Sequence, residues 1–136
     1  MAQPNNFGFS EEAALLKDSA RKFFEEKLPT NTLHSMVADD PTPERMTGSA
    51  WDRETWQQMV DLGWTMVAVP EAAGGIGMPV AAVAGLAEEL GRAAFPCPLL
   101  PTINCTYVLA ACGTAADTAL AEIVEGQSAS LAITNQ

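Results

Sequence analysis

Charged residues, and basic ones in particular, are scarce in this chain of 136 residues. Only 18% of the residues are charged, whereas an ordinary soluble domain has about 25%. Lys and Arg number 7 against 17 Asp and Glu, which gives a formal net charge of −10. Binding to nucleic-acid phosphates or to an anionic membrane surface needs clustered cations, so the composition argues against both kinds of partner.

Histidine and cysteine are also rare. With His34 as the single histidine, in a predicted loop, the sequence contains no self-contained catalytic constellation and no predicted metal site. Cys97, Cys105 and Cys112 are odd in number, which predicts free thiols, mostly small core residues, in a reducing, cytoplasmic compartment. No apolar run approaches the roughly 18 residues of a membrane span, and the N-terminus has no signal-peptide pattern.

Apolar residues at spacings of three and four predict an all-α bundle of about five helices between residues 9 and 127. Ser10 stands at an N-cap position, and Leu15 and Val80 are assigned to the apolar faces of their helices. Glycines end four of these helices in the prediction, Gly91 among them. The predicted helices run from Ser10 to about Leu28, Asp52 to Leu62, Pro79 to Leu90, Thr102 to Cys112 and Ala115 to Glu125.

The two ends of the chain differ from this helical part. Residues 1–8 are polar and predict a flexible leader, whereas Ser130–Thr134 change period and predict the beginning of a strand. We therefore expect residues 128–136 to be the start of a β-domain that the chain truncates. From Ala93 to Gln136 only Asp117, Glu122 and Glu125 are charged, a composition typical of surface that another part of a protein covers.

Two local patterns invite a chemical interpretation. Gly74, Gly75 and Gly77 follow an apolar segment, but their spacing is not the G-x-G-x-x-G of a dinucleotide loop, so a structural loop is the favoured interpretation. Glu88 and Glu89 form the one carboxylate pair on an apolar helix. Adjacent helix positions point about 100° apart and do not share a site, which favours a structural role for Glu89 beside Arg92.

Three blocks of sequence together resemble the N-terminal helical domain of acyl-CoA dehydrogenases. They are DLGWTMVAVPE at residues 61–71, GGIG at residues 74–77 and EELGR at residues 88–92. The resemblance extends from Phe9 to Thr134 and is most specific between Leu62 and Arg92. The connector at residues 96–101, PCPLLP, is similar to the branch of the family that includes bacterial steroid and side-chain degradation enzymes.

The resemblance implies a helical domain that is followed by a middle β-domain and a C-terminal helical domain, with FAD between them. It implies α,β-dehydrogenation of an acyl-CoA thioester, reoxidation by an electron-transfer flavoprotein, and a dimeric or tetrameric assembly. The catalytic base comes from a part of the family fold that these residues lack, so the chain alone is expected to be inactive. Thr134 matches the flavin-contacting threonine of the family signature, although Asn135 stands where glutamate is usual.

By position in the family, the acyl-chain pocket would be lined around the start of the fourth predicted helix. Ordinary core packing is the equally weighted alternative for these residues, and Asn104 is the polar exception among them. The candidates are Leu99, Leu100, Ile103 and Asn104. The alternative to an enzyme role is a non-catalytic helical module that binds a partner through residues 93–136, or a degenerate subunit of a heteromeric dehydrogenase.

Overall fold

The structure is a computed structural model that describes residues 9–29, 31–32 and 51–132. The described residues contain no strand, which confirms the all-α prediction. Residues 130–132 of the predicted C-terminal strand have no strand partner among the described residues, and a strand needs one. The rest of that segment, and the leader at 1–8, lie outside the described residues. Five α-helices lie wholly within them: α1 (Glu11–Lys27), α2 (Arg53–Asp61), α3 (Val80–Ala93), α4 (Leu99–Ala111) and α5 (Asp117–Val124).

The described residues form two compact units, and the first combines residues 9–29 and 31–32 with residues 79–96. In its described part α1 packs against α3. Small residues allow this close approach: Ala20 and Ala82 are fully buried, and a Cβ atom on Gly85 would lie 3.0 Å from a ring carbon of Phe9. The Phe24 ring is buried beside that of Phe95, with 5.3 Å between the ring centres.

The boundaries of α1 and α3 correct the sequence prediction in part. Ser10 caps α1 as predicted, its side chain accepting a hydrogen bond from the Ala13 amide. Gly91 does not end α3, which continues to Ala93, and Ala94 takes the left-handed conformation with a φ of 50°. Leu15 and Val80 are 68% and 67% exposed rather than inward, because the core is filled by other positions on each helix.

The second unit combines residues 51–78 with residues 97–132 and contains α2, α4 and α5. Part of its core is a cluster of Val69, Cys105, Leu120 and Ile123. The indole nitrogen of Trp56 donates a hydrogen bond to the carbonyl oxygen of Gly126 at 2.9 Å. This bond joins the two separate segments of the unit.

Three short 3-10 turns connect the elements of this unit: Trp64–Met66, Glu71–Ala73 and Gly113–Ala116. Gly63, Gly113 and Gly126 all have positive φ after a helix, which confirms their predicted role as helix ends. The last turn occupies residues predicted as helix, so α5 begins at Asp117 rather than at Ala115.

Candidate functional site

Helix α4 positions all four residues that the sequence predicts around the acyl group. It begins at Leu99, three residues earlier than predicted, because Pro101 fits the first helical turn, where no intrahelical partner for its missing N–H is needed. The amide of Thr102 donates to the Pro98 carbonyl at 3.0 Å, closing that turn. Because of the earlier start, Leu99 and Leu100 lie on the helix, and helical spacing determines the face on which each of them lies.

The four predicted residues fall on two different faces of α4. Leu99 and Ile103 are 0% and 2% exposed and belong to the core, as the packing alternative predicted. Leu100 is 38% exposed, and Asn104 is exposed one turn further along. The structure therefore brings Leu100 and Asn104 together on the outer face and separates them from the other two.

Two further residues on this outer face were missed by sequence reasoning. Tyr107 and Val108 are 38% and 46% exposed, and they follow Asn104 by three and four positions. Both lie within the predicted helix Thr102 to Cys112, and their spacing of three and four from Asn104 is the signal that could have identified them. We call the exposed side chains of Leu100, Asn104, Tyr107 and Val108 the outer face of α4.

The outer face of α4 contains no charged group, and neither does the rest of the helix. By contrast, every turn of α1 carries charged residues, as expected of a helix whose outer side meets water. The face is nevertheless not wholly apolar, because it presents the amide of Asn104 and the hydroxyl of Tyr107. A tyrosine hydroxyl is protonated at neutral pH because its ordinary pKa is about 10, and partial burial raises the pKa of Tyr107 further.

The buried hydroxyl groups of α4 already have hydrogen-bond partners within the protein. The Thr102 hydroxyl donates to the Pro98 carbonyl at 2.7 Å and accepts from the Ala129 amide at 3.0 Å. The Thr106 hydroxyl donates to the Ile103 carbonyl at 2.6 Å. These bonds leave the inner face of α4 fully committed to the fold, so any ligand contact falls to the outer face.

The glycine loop at residues 74–77 is a packed structural turn. A Cβ atom on Gly75 would lie 2.1 Å from the carbonyl oxygen of Val69, so only glycine fits there. The amides of Ile76, Gly77 and Met78 donate to the carbonyls of residues 66, 69 and 67, at 3.0, 2.8 and 2.8 Å. Because these amides already donate to carbonyls of the preceding segment, the loop has none of the free N–H groups that a phosphate-binding loop needs.

Glu89 is the one fully buried carboxylate among the described residues, and it is held by two arginines. Arg21 donates through two nitrogens, at 2.9 and 3.3 Å, and Arg92 donates at 2.7 Å. The hydrogen bonds from Arg21 and then Arg92 outweigh the effect of burial and lower the pKa of Glu89 to about 2. The predicted structural role beside Arg92 is confirmed, whereas no local sequence signal pointed to Arg21.

The remaining reactive groups of the described residues offer no catalytic centre. All carboxylates other than Glu89 in the described part of the chain are exposed. The same part contains no cluster of three His, Cys, Asp or Glu side chains that could hold a metal ion. Burial raises the pKa of the half-buried Cys97 thiol, which disfavours the reactive thiolate. Cys105 lies in the core as expected, but Cys112 is exposed at the C-cap of α4 rather than in the core. His34 lies outside the described residues.

None of the helices in the described part of the chain is both long and apolar enough to cross a bilayer. This agrees with the absence of a long apolar run in the sequence.

Comparison with known proteins identifies the family. The family model "Acyl-CoA dehydrogenase, N-terminal domain" matches residues 10–127. The chain is also 29% identical over 110 residues to acyl-CoA dehydrogenase IpdE2 of Mycobacterium tuberculosis, an alignment that covers 76% of this chain and 35% of that protein. The chain thus spans about a third of the length of the curated relative it matches. No solved structure matches it significantly. The family match, which covers most of the sequence, establishes that this chain belongs to the acyl-CoA dehydrogenase family and carries its N-terminal domain.

Proposed function

We propose that this chain is the helical part of an FAD-dependent acyl-CoA dehydrogenase that oxidises the α,β carbon–carbon bond of an acyl-CoA thioester. The observation that carries the proposal is the charge-free outer face of α4, on a chain matched by the family model. In this proposal that face forms one wall of the acyl pocket, with Leu100 and Val108 against the hydrocarbon. Leu99 and Ile103 support the wall from the core.

FAD supplies the hydride acceptor for this reaction when it is bound. The glycine loop does not fit a flavin-phosphate site, because its amides already donate to carbonyls of residues 66–71. The candidate contact to the isoalloxazine ring is Thr134, which lies outside the described residues. We therefore assign most of the flavin site to the rest of the assembled enzyme.

The proposed role of this chain is to bind and orient the acyl group, not to remove its α-proton. A carboxylate base in such a pocket needs a pKa near the operating pH. Glu89, with a pKa of about 2, is a weak base and is enclosed by Arg21 and Arg92. The other described carboxylates are exposed. The base is therefore proposed to come from another domain.

The partners follow from the same proposal. The charge-poor segment after Ala93 would contact a β-domain and a C-terminal helical domain, and the assembled enzyme would be a homo- or hetero-oligomer reoxidised by an electron-transfer flavoprotein. A cytoplasmic location fits the three free thiols.

Flavin content is the most direct test. We expect the 136-residue chain purified alone to be colourless, and the same chain assembled with the β- and C-terminal domains to be yellow with one FAD per active site. The assembled protein should lose its flavin absorbance anaerobically when an acyl-CoA substrate is added. Stoichiometric FAD on the 136 residues alone would contradict the proposal.

The second candidate function is a non-catalytic helical module or degenerate subunit, which the same outer face of α4 favours. The two functions differ in one outcome. Assembly with a flavin-binding partner whose absorbance no acyl-CoA bleaches would support the module, whereas bleaching supports the enzyme.

A further inference from the structure

The outer face of α4 carries polar groups that a hydrocarbon alone would leave unpaired. The side chains of Asn104 and Tyr107 lie three positions apart on this face, which places their Cβ atoms about 5–6 Å apart. Within the described residues neither side chain forms a hydrogen bond to protein. If an unsubstituted acyl chain covered them, both groups would lose their hydrogen bonds to water without replacement.

The groups that could pair with this face are restricted by charge. No Lys or Arg follows Arg92, so a carboxylate or phosphate here would meet no counter-charge from residues 93–136. The Asn104 amide and the Tyr107 hydroxyl are neutral, and each can both donate and accept. Their chemistry matches a neutral oxygen, either a carbonyl or a hydroxyl group.

We propose that Asn104 and Tyr107 bind a carbonyl or hydroxyl oxygen on the acyl group, so that the preferred substrate is an oxygenated acyl-CoA thioester. This inference rests on the proposed function and specifies its substrate class. Leu100 and Val108, on the same face, lie on either side of Asn104 along the helix and contact the hydrocarbon. The pairing gives each polar group a partner and keeps the face free of charge.

The test compares two substrates of equal carbon number in the assembled flavoenzyme that contains this chain. Octanoyl-CoA and 7-oxooctanoyl-CoA differ by one oxygen remote from the reacting bond, and the readout is the ratio of their kcat/KM values. We expect a ratio above 1 in favour of the oxo substrate. Asn104→Leu and Tyr107→Phe should each lower that ratio by about tenfold, since a hydrogen-bonding site discriminates strongly against an analogue that cannot pair with it.

Thr118→Val is the matched control, because it removes an exposed hydroxyl from α5 and should leave the ratio unchanged. Flavin content and thermal midpoint verify that each variant is folded. A wild-type ratio of 1 or below, or a ratio unaffected by both variants, overturns the inference. If octanoyl-CoA is still oxidised in that case, the proposed function stands; if neither thioester is oxidised, both fail.

A second copy of the chain is the competing occupant of this face. Light scattering on the same variants separates it from the substrate. A change of oligomeric state with an unchanged substrate ratio would overturn the inference.

Discussion

At the scale of single residues, the buried Glu89 carboxylate contributes stability that depends on pH. Its pKa of about 2 in the folded chain lies below the value of about 4.3 expected when unfolded. The contribution is therefore complete above about pH 4.3 and is lost as the pH falls towards 2. Glu89→Gln should lower the free energy of unfolding at pH 7 by about 1–3 kcal/mol, and by less at pH 3, as measured by urea unfolding.

The neighbouring Glu88 provides a matched control. It pairs with Lys17 at 2.6 Å, but its side chain is 63% exposed. Exposed ion pairs contribute about 0–1 kcal/mol, so Glu88→Gln should have a small effect at both pH values. Equal losses in the two variants would contradict the assignment of the buried ion pair to Glu89.

At the scale of elements, α3 has its glycine three residues before the left-handed position at which glycine would fit best. Gly91 lies inside the helix with open space where a Cβ would be, whereas Ala94 takes the left-handed conformation. Gly91→Ala should stabilise the fold by up to about 1 kcal/mol through helix propensity, and Ala94→Gly by a similar amount through relief of strain. Thermal unfolding of both variants measures this.

Gly113→Ala should have the opposite sign to Gly91→Ala. Its surroundings are equally open, but its φ is 64°, so an alanine there is strained and should cost about 1 kcal/mol. Stabilisation by Gly113→Ala, or destabilisation by Gly91→Ala, would show that conformation at these positions is not the controlling factor.

The glycine loop gives a sharper contrast between adjacent residues. Gly75→Ala would place a Cβ against the Val69 carbonyl and should destabilise the second unit by about 2–3 kcal/mol. Gly74→Ala meets no atom within 4 Å and should cost only the strain of its positive φ, about 1 kcal/mol. Equal denaturant midpoints for the two variants would rule out the close packing seen at Gly75.

Sequence reasoning predicted the features that depend on neighbours along the chain. The Ser10 cap, the left-handed Gly63 and the pairing of Glu89 with Arg92 are all local in this sense. It misjudged Gly91, because the choice between residues 91 and 94 as the helix end depends on tertiary packing of α3. It also missed Arg21, which is 68 positions from Glu89 and is brought to it only by the packing of α1 on α3.

The candidate site shows the same division. The sequence identified α4 and its polar exception Asn104, but it could not separate Leu99 and Ile103 from Leu100. Leu99 and Leu100 lie on the helix only because Pro101 fits its first turn. Tyr107 and Val108 follow from Asn104 by helical spacing alone, within the predicted helix.

At the scale of the whole molecule, two exposed apolar residues should respond differently to the same charge. Val108 lies on the outer face of α4 and Leu15 on the charged helix α1. In the 136-residue chain Val108→Lys and Leu15→Lys should both change stability by about 0.5 kcal/mol or less. In the proposed flavoenzyme assembly Val108→Lys should reduce flavin incorporation or activity, because a lysine is then buried unpaired.

Leu15→Lys should leave flavin incorporation and activity near the wild-type level, since α1 already presents charge to water. Purification of the two variants with their flavin-binding partner domains and a flavin absorbance ratio measure the difference. Equal behaviour in the assembled enzyme would mean that the outer face of α4 is not covered there.

The interleaving of the two units also determines when each can form during synthesis. The first unit needs α3, and the second needs residues on both sides of α3, ending with the carbonyl of Gly126 that accepts from Trp56. During synthesis, α1 therefore cannot pack until α3 has been made as far as residue 93. Helix α2 packs later still, because the Gly126 carbonyl that accepts from Trp56 lies 70 positions further along the chain. A nascent chain arrested with α3 outside the ribosome, and with the residues after it still in the exit tunnel, should protect the first unit from protease while α2 is still cleaved.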